Sequence, residues 1–383
     1  MKILVIPSWY ATTTNPTKGS FFREQALMMR NNGVNQVVLA YVQMHKFGES
    51  IPQRIEHVED NGMSVFIRHI HSYGFAKMHL VYVLVLWWYY YKLFRYVALR
   101  GFMPDIIHAH SFLPAGIISC LIGRKRNIPV VLTEHSSYVH TKSLSWIESL
   151  SLKFAINNSS ITTAVSKSLA KVMSEYSNKR IAILPNNLSP LFIYDPKAKK
   201  QTPFVFYTAC NLIDSKRVLF LLECFKDAFA NSKDVILKIA GGGIMRNGLE
   251  DYIKRNGMKS KVFLLGRIGR KELAKLAKES NSMVLLSTNE TFGVAYIEAI
   301  ASGCPVIATR NGGAEDIVNA RNGLLVDVDN RDQAVNALKY IFHNYSQYNL
   351  HEMSKECISR FGEDTLYYQT MEIYKKLCKR LEL

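Results

Sequence analysis

The sequence predicts an α/β fold of two parallel-sheet domains that face a cleft. Its 383 residues exceed a typical single domain of roughly 150 residues, so two domains are expected. Short apolar, β-branched runs alternate with helical patterns along the whole chain, which is typical of parallel strands covered on both faces by helices. Residues 188–203 carry three prolines and three lysines, and we interpret this stretch as the linker between the domains.

The predicted strands divide at this linker into two series. The first series is 3–6, 36–40, 64–67, 106–109, 130–133, 161–164 and 181–184. The second series is 204–209, 235–240, 262–265, 283–286, 306–309 and 324–326. We expect a Rossmann-like N-terminal domain over 1–190, a Rossmann-like C-terminal domain over 191–363, and a C-terminal helix over 364–383 that packs back on the N-terminal domain. Ligands of parallel α/β domains bind at the carboxyl ends of the strands, so two such domains would enclose a cleft.

The chain is strongly basic, and most of the excess charge lies in its first half. Lys plus Arg exceeds Asp plus Glu by 48 − 31 = 17, with 20 basic against 9 acidic residues up to Pro190 and 28 against 22 after it. A cluster such as Arg124, Lys125 and Arg126 favours contact with an anionic membrane surface, and a solvated basic face is the common alternative. No recognised nucleic-acid-binding motif occurs, so nucleic acid is not expected as a partner.

The segment 80–91, LVYVLVLWWYYY, is apolar without interruption and is followed by Lys92, Arg95 and Arg100. A membrane-spanning helix needs about 20 predominantly apolar residues, so this run is too short to be one. Aromatic residues beside cations suit the lipid headgroup boundary, whereas a core helix with a basic end would show the same pattern. The sequence therefore leaves open a buried helix and an interfacial helix.

The N-terminus and the cysteines indicate a cytoplasmic protein. In MKILVIPSWY one lysine precedes a five-residue apolar run, which is shorter than the roughly 7 to 15 apolar residues of a signal peptide core. The six cysteines are widely spaced and form no CxxC pair or Cys/His cluster of zinc spacing. We expect buried free thiols in a reducing compartment, and a protein that is peripheral on the inner face of the cell membrane.

The stretch 287–329 is the most informative part of the chain. A predicted strand runs into a polar loop that carries Glu290, and a helix follows. The free N–H groups at the helix start and the helix dipole would form an anion site at the strand end. These N–H groups belong to Phe292, Gly293 and Val294. Glu298, four residues after Val294 on the same helical face, would point toward this site and accept hydrogen bonds from a ribose diol.

Glu290 and Glu298, separated by seven residues and followed by GCPVIAT, NGGAEDIV and NGLLV, resemble the donor-binding signature of retaining glycosyltransferase family 4, which has the two-Rossmann GT-B fold. IPSWYATTTNPTKGSFFREQ resembles the first loop of a polysaccharide-synthesis branch of that family. PDIIHAHSFLPAG, VVLTEH, VSKSL and ILPNN resemble further segments of its N-terminal domain. The resemblance extends from Met1 to about Asp329.

The resemblance implies a role for each matching residue. Glu290 would hydrogen-bond the donor-sugar hydroxyls, Lys216 would bind the diphosphate and His110 would lie near the reacting sugar, which makes these three the candidate catalytic residues. Glu298 would hold the ribose hydroxyls, and Gly19 would let the backbone approach the phosphates. The family needs no metal or other cofactor, because protein cations and a helix end neutralise the leaving diphosphate.

One position departs from the family pattern. Where the family has Gly-Arg before the diphosphate lysine, this chain has Cys210 and Asn211, so one of two expected cations is missing. Three explanations remain open: Arg217 compensates, the leaving group is stabilised less, or the donor differs. In addition to Glu298 and Gly19, the donor-binding candidates are Phe292, Gly293, Val294, Arg217 and Asn211.

Two further patterns carry little weight. Asp327 and Asp329 spell a DxD metal motif, but they follow the last predicted strand and lie far in sequence from the phosphate loop, so no metal site is predicted. The triplet Gly241, Gly242 and Gly243 follows a strand without the GxGxxG spacing of a dinucleotide turn. The resemblance places a glycine-rich turn of the donor domain at that position.

The sequence thus predicts a retaining glycosyltransferase of the hexosyltransferase type, active in cell-surface polysaccharide synthesis. Its expected partners are a nucleotide-diphosphate sugar, a saccharide or lipid-linked acceptor bound by the N-terminal domain, and an anionic membrane surface. Two alternatives remain open at this point. One is a sugar-nucleotide epimerase on the same fold, and the other is a non-catalytic relative that binds glycan or membrane.

Overall fold

The computed structural model describes residues 1–10, 19–34, 36–72, 79–198, 200 and 202–378. The chain divides into two compact units, Met1–Asn187 together with the chain from Asp364 onward, and Leu188–Glu363. Each unit contains its own sheet. Residues 11–18 of the first-loop motif lie outside the described residues.

The first unit is built on an eight-stranded sheet with the strand order β3-β4-β2-β1-β5-β6-β7-β8. Its strands are β1 (Lys2–Pro7), β2 (Gln36–His45), β3 (Glu56–Asp60), β4 (Met63–His71), β5 (Ile106–His110), β6 (Val130–Glu134), β7 (Ile161–Ala164) and β8 (Ile181–Ile183). Its helices are α1 (Ser20–Asn31), α2 (His79–Leu99), α3 (Ile117–Arg126), α4 (Ser137–His140), α5 (Trp146–Asn158) and α6 (Lys167–Ser174).

The second unit is built on a six-stranded, wholly parallel sheet with the order β11-β10-β9-β12-β13-β14. Its helices are α7 (Val218–Phe229), α8 (Arg246–Arg255), α9 (Arg270–Glu279), α10 (Val294–Ala301), α11 (Arg331–Asn344) and α12 (Leu350–Phe361). Its strands are β9 (Phe204–Ala209), β10 (Val235–Ala240), β11 (Val262–Gly266), β12 (Ser282–Leu285), β13 (Val306–Thr309) and β14 (Gly323–Val326). The predicted α/β class with two parallel-sheet domains is confirmed.

One strand corrects the prediction of a wholly parallel first sheet. β3 pairs antiparallel with β4 at the sheet edge. Its sequence, EHVED, is charged and largely exposed, so a search for apolar runs does not find it. The signal that could have found it is the pair Asn61-Gly62, because both residues adopt positive φ, at 49° and 77°, as a tight hairpin turn requires.

The last helix, α13 (Glu363–Cys378), belongs to the core of the first unit. Leu366, Tyr374 and Leu377 are buried in a cluster with residues of β1, β2 and α1. Two of them lie eight residues apart, at Leu366 and Tyr374, which places them on one face of the helix. The C-terminal segment therefore stabilises the N-terminal sheet by burying apolar surface.

Helix α2 contains the long apolar run and has two distinct faces. Leu86, Tyr90, Leu93, Phe94 and Val97 recur at helical spacing and are buried. The exposed residues follow the opposite stripe, at Leu84, Trp88, Lys92, Arg95 and Leu99. Among the described residues, no helix combines the length and apolar character needed to cross a membrane.

The six cysteines are free thiols, but they are not all buried. Cys120, Cys224, Cys304 and Cys357 are buried, whereas Cys210 and Cys378 are only partly buried. The expectation of six buried thiols was therefore wrong for two of them. Cys210 lies in the loop after β9 and Cys378 at the end of α13, and each packs at the margin of the apolar core of its unit.

Candidate active site

The candidate site of the second unit lies at the carboxyl edge of its sheet. β10, β9, β12 and β13 are adjacent and parallel, so the loops that follow them lie side by side. The backbone N–H of Thr288 after β12 donates to the carbonyl of Ser215 after β9 at 2.9 Å, which joins two of these loops.

Lys216 and Glu290 are brought together by this junction. Lys216 Nζ lies 2.6 Å from Glu290 Oε1, and the two side chains are only 20% and 14% exposed. Lys216 ends a short 3₁₀ turn, and Glu290 is held by its backbone N–H, which donates to the carbonyl of Asn311 at 3.2 Å. The neighbouring Cys210 thiol has its pKa raised to about 11, mainly by burial. It is therefore a neutral neighbour of the pair near pH 7.

The start of α10 follows Glu290 by a few residues. Gly293 adopts a left-handed conformation with φ of 95°, and a Cβ at this position would lie 2.3 Å from the ring of Tyr296. Only glycine fits at this position. The helix begins directly after it, so the first backbone N–H groups of α10 start at Val294. Phe292 contributes no side chain to this surface, since its ring is buried against Phe361.

Glu298 is buried in α10 and has a partner that the sequence analysis missed. Arg270 Nη1 lies 2.6 Å from Glu298 Oε1, and the side chain of Glu298 is 6% exposed. Arg270 begins α9 and its guanidinium lies 4.8 Å from the ring centroid of Phe192. A cation in the first turn of a helix opposes the helix dipole, so Arg270 at that position is a signal that could have prompted a search for its partner.

The glycine triplet after β10 packs directly on the loop after β9. A Cβ on Gly241 would lie 1.8 Å from the carbonyl oxygen of Cys210, and one on Gly243 would lie 2.3 Å from that of Leu212. The triplet thus allows two backbones to touch and shapes the loop that carries Asn211. Asn211 itself is exposed.

Arg217, the residue after Lys216, has its charge balanced elsewhere. Its Nη2 lies 2.7 Å from Asp329 Oδ2, and its Nη1 lies 3.5 Å from Asp214 Oδ1. Asp327, the other acid of the DxD pattern, pairs with Arg310 at 3.3 Å. Both acids of that pattern are thus engaged by arginines, and the described residues contain no group of three metal-ligating side chains.

The candidate residues of the first unit lie at the carboxyl ends of its central strands. Gly19 precedes α1 with φ of 71°, and a Cβ there would lie 2.8 Å from the carbonyl oxygen of Trp9. His110 ends β5 and is buried. Its Nδ1 lies 3.0 Å from His135 Nε2, and its ring stacks on that of His108 with centroids 4.4 Å apart. His110 therefore belongs to a cluster of three histidines.

A hydrogen-bonded chain anchors this cluster to the last helix. His108 Nδ1 lies 2.7 Å from the Tyr374 hydroxyl of α13, and His108 Nε2 lies 2.7 Å from Thr133 Oγ1. Burial lowers the pKa of His108 and of His135 to about 3, and burial together with the two neighbouring rings lowers the pKa of His110 well below its usual value. All three imidazoles are therefore neutral at pH 7.

Glu134, which the sequence analysis did not single out, holds the loops beside this cluster. Its Oε2 accepts from the backbone N–H of Phe112 at 2.7 Å. Its Oε1 accepts from the backbone N–H groups of His135 at 2.9 Å and Ser136 at 2.7 Å. The carboxylate is fully buried, and burial raises its pKa. The Glu134 side chain thus holds the segment that follows β5 next to the segment that follows β6.

The neutral histidines predict a loss of stability in acid. An unfolded histidine takes up a proton near pH 6.5, whereas His108, His110 and His135 stay neutral in the folded state until far lower pH. Their contribution to stability is complete above pH 6.5 and is lost as the pH falls from there toward 3, by up to about 1.4 kcal/mol per pH unit for each histidine. Urea unfolding followed by tryptophan fluorescence measures this slope for the first unit, since all four tryptophans lie in it.

The variant His108→Gln should flatten that slope by about 1.4 kcal/mol per pH unit below pH 6. His57→Gln, on the exposed edge strand β3, is the control, and its slope should follow that of the parent. An unchanged slope in His108→Gln would show that His108 takes up its proton as readily in the folded state as in the unfolded state, and would contradict the prediction.

The matches to known protein families divide the chain in nearly the same place as its structure does. Glycosyltransferase Family 4 matches residues 22–188, and Glycosyl transferases group 1 matches residues 192–360. Together these two family models cover most of the chain.

The chain belongs to glycosyltransferase family 4.

Individual relatives agree with this membership. An uncharacterized glycosyltransferase of Methanocaldococcus jannaschii is 28% identical over 275 residues, which cover 71% of this chain and 76% of the relative. The UDP-Gal:alpha-D-GlcNAc-diphosphoundecaprenol alpha-1,3-galactosyltransferase of Escherichia coli is 27% identical over 289 residues, which cover 68% and 72%. The solved sucrose-phosphate synthase of Thermosynechococcus elongatus superposes with a TM-score of 0.78 at 17% identity, over 99% of this chain and 100% of that one.

This family 4 glycosyltransferase is therefore a transferase enzyme of the GT-B fold class, as the sequence predicted. The first family match ends at residue 188 and the second begins at residue 192. The structural division falls after Asn187, immediately before this junction.

Proposed function

We propose that this glycosyltransferase moves a hexose from a nucleotide-diphosphate donor to a lipid-linked saccharide acceptor with retention of configuration, in the synthesis of a cell-surface polysaccharide. The observation that carries the proposal is the contact of Lys216 with Glu290 at the edge of the second sheet, three residues before the left-handed Gly293. The name of the Escherichia coli relative, which includes a UDP-sugar and a diphosphoundecaprenol-linked sugar, supports the donor and acceptor classes.

In this proposal the diphosphate binds between Lys216 and the start of α10. The first amides of a helix have no intrahelical partners and attract an anion, and the helix dipole adds to that attraction. Lys216 supplies a full positive charge on the other side. These groups meet the charge that develops on the leaving diphosphate, so no metal or cofactor is part of the proposal. Glu298 accepts hydrogen bonds from the ribose hydroxyls.

Donor binding would exchange the partner of Lys216. The two side chains are only 20% and 14% exposed, so Lys216 needs an anionic partner at all times, and the arriving diphosphate supplies one in place of Glu290. Charge-assisted bonds between Lys216 and phosphate oxygens replace the contact. Glu290 is then released to accept hydrogen bonds from the donor-sugar hydroxyls. The arrival of the diphosphate would thus prepare the site for the sugar attached to it.

Retention would follow from departure and attack on one face of the sugar. The diphosphate leaves first, the anomeric carbon acquires oxocarbenium character, and the acceptor hydroxyl enters from the side that the diphosphate has left. The resemblance implies a role for His110 of the first unit in the reaction, and its imidazole is neutral, because burial holds its pKa well below 6.5. A neutral ring can share hydrogen bonds with sugar hydroxyls without adding a positive charge beside an oxocarbenium-like centre.

A panel of nucleotide sugars tests this function. Release of nucleoside diphosphate is measured with and without a diphosphoundecaprenol-linked saccharide, in the presence and absence of EDTA. One donor should be turned over much faster with the acceptor, EDTA should not change the rate, and the product should keep the donor's anomeric configuration by NMR. Turnover of no donor, or conversion of the donor to an epimer without transfer, would overturn the proposal.

We further propose that the protein acts on the inner face of the cell membrane through α2 and the end of α3. The exposed stripe of α2 carries Trp88, which is 47% exposed, and Lys92, whose Nζ lies 3.5 Å from the Trp88 ring centroid. Lys125 Nζ lies 4.5 Å from the ring centroid of Tyr91, so the basic end of α3 lies against the aromatic part of α2. Aromatic rings beside cations suit an anionic headgroup layer.

Vesicle binding tests the membrane proposal. Five cations are changed to Gln together: Arg95, Arg100, Arg124, Lys125 and Arg126. Each cation near an anionic surface contributes about 1 kcal/mol, so binding to vesicles that contain phosphatidylglycerol should fall strongly at low salt, while nucleotide binding stays unchanged. A charge-matched control removes five exposed cations of the second unit: Lys254, Arg255, Lys259, Lys271 and Lys275. Equal losses in the two variants, or no loss in the first, would contradict the proposal.

A further inference from the structure

The second unit has a cavity of about 420 Å³ outside the candidate active site. This volume lies within the range of about 300 to 1,000 Å³ that is usual for small-molecule sites. The cavity is formed by the turn before β14, by α11, and by the start of α12 with the turn that precedes it. The lining residues that matter for its chemistry are Arg321, Tyr340, Tyr348, Asn349, Glu352 and Glu356.

The cavity lies at the opposite edge of the sheet from Lys216 and Glu290. Arg321 precedes β14, so it marks the amino end of that strand. The six strands are parallel, which places all their amino ends at one edge and all their carboxyl ends at the other. Lys216 and Glu290 follow the carboxyl ends of β9 and β12. The cavity is therefore not part of the donor site described above.

The charges of the cavity disfavour an anionic ligand. Arg321 Nη2 lies 3.1 Å from Glu356 Oε1, so the one arginine of the lining is paired with a carboxylate. Glu352 adds a second carboxylate, which makes the lining net negative. A phosphate or a nucleotide would meet repulsion here. A divalent cation lacks a site as well, because the described residues contain no cluster of three ligating side chains.

Two tyrosines give the cavity an aromatic wall with hydroxyl groups. Tyr340 is 47% exposed, and Tyr348 is its neighbour. Burial raises the pKa of Tyr348 to about 12, and the neighbouring Tyr340 adds to the rise. The Tyr348 phenol is thus a neutral group at pH 7. Asn349 caps α12 through its Oδ1, which accepts from the N–H of Glu352 at 3.1 Å, so its side-chain NH₂ is the group that it offers to a ligand.

We propose that this cavity is a second carbohydrate site that binds a neutral oligosaccharide. The C–H face of a pyranose packs on the tyrosine rings, and its hydroxyls donate to Glu352 and Glu356 and accept from Asn349. Such a site would hold the saccharide chain on the enzyme and raise its effective concentration at the active site. The binding itself is independent of the proposed function, whereas its use in retaining an acceptor or product chain rests on it.

Saturation-transfer NMR on the full chain tests the site with four named probes: maltotriose, cellotriose, mannotriose and galactobiose. At least one probe should receive saturation, and UDP should not displace it. Tyr340→Ala and Tyr348→Ala should each weaken binding about tenfold, because each removes an aromatic face worth roughly 1 to 1.5 kcal/mol. The matched control Tyr368→Ala removes a tyrosine that is 71% exposed on α13, and it should leave binding unchanged.

Three results would overturn the inference. They are binding of none of the four probes, binding that survives both tyrosine variants, and binding that Glu298→Gln abolishes. A thermal unfolding scan of each variant shows that a loss of binding is not a loss of folding, and Glu352→Gln, which removes a carboxylate of the lining, should also weaken binding of the probe. Turnover of nucleotide sugars with short soluble acceptors is measured separately from probe binding, so that this inference and the proposed function can fail independently. If the probes bind as expected but no nucleotide sugar is turned over, the proposed function fails and the second site stands.

Discussion

Replacing Lys216 by Met should lower sugar transfer by about 10² to 10³ while the protein stays folded. Lys216 is the cation that contacts Glu290, and the charge of Arg217 is balanced by Asp329 and Asp214. A preorganised charge that is lost from a leaving-group site typically costs about 3 to 4 kcal/mol of transition-state stabilisation. Single-turnover rates with saturating donor measure this loss. Met keeps most of the side-chain volume, so the variant removes chiefly the charge.

Two further variants make the result specific to position 216. Lys226→Met removes an exposed lysine of α7 whose Nζ bonds to Asn256, and the transfer rate should not change. Arg217→Met tests the rival explanation that Arg217 replaces the missing family arginine, and we expect a loss of less than about tenfold, because its ion pairs are partly exposed. A severe loss in Arg217→Met with a mild one in Lys216→Met would reverse the assignment.

Position 211 provides an independent check on the diphosphate site. Asn211 is exposed in the loop that the glycine triplet supports, so an arginine has room there. Asn211→Arg should increase nucleoside diphosphate affinity, because it restores the cation that the family pattern has at this point. If it instead weakens binding, or if the parent binds no nucleoside diphosphate, the pocket is shaped for a different ligand.

Glu298→Gln and Glu290→Gln should have different effects on the free nucleotide. We expect Glu298→Gln to weaken nucleoside diphosphate binding by roughly 2 kcal/mol, or about thirtyfold, because Glu298 is the charged acceptor of the ribose diol in the proposed binding mode. Glu290→Gln should leave that affinity nearly unchanged and depress turnover, because the bare nucleotide has no sugar for Glu290 to contact. Titration calorimetry with the nucleoside diphosphate, followed by rates with the donor, separates the two variants.

The Arg270 contact adds a stability control to this experiment. Removing the Glu298 charge takes a carboxylate partner from Arg270 at a site where Glu298 is only 6% exposed, so the expected loss of unfolding free energy is about 1 to 3 kcal/mol. Glu250→Gln, which removes an exposed pair with Arg246 in α8, is the matched control for both binding and stability. Equal losses of nucleotide affinity in Glu290→Gln and Glu298→Gln would refute the division of labour.

The elements that the sequence predicted well are those with a strong local pattern. The buried parallel strands appear as short apolar runs, because both of their faces lie against helices. β3 was missed because its pairing covers an exposed edge with charged residues, and only its Asn61-Gly62 turn distinguishes it from a loop. The apolar run of α2 did not reveal which face of the helix is buried, because a helix that is apolar all round shows no periodicity that separates the buried face from the exposed one.

The sequence by itself determined the fold class, the family and the set of candidate residues, because these depend on the spacing of residues within single elements and loops. Only the tertiary structure decided how their charges are partnered. Lys216 and Glu290 lie 74 residues apart, and Arg217 and Asp329 lie 112 apart, so no local periodicity relates them. The same is true of Arg270 with Glu298 and of His108 with Tyr374. Such pairs form where parallel strands and packed helices bring distant loops to one edge, and the order of strands in the sheet sets which loops meet.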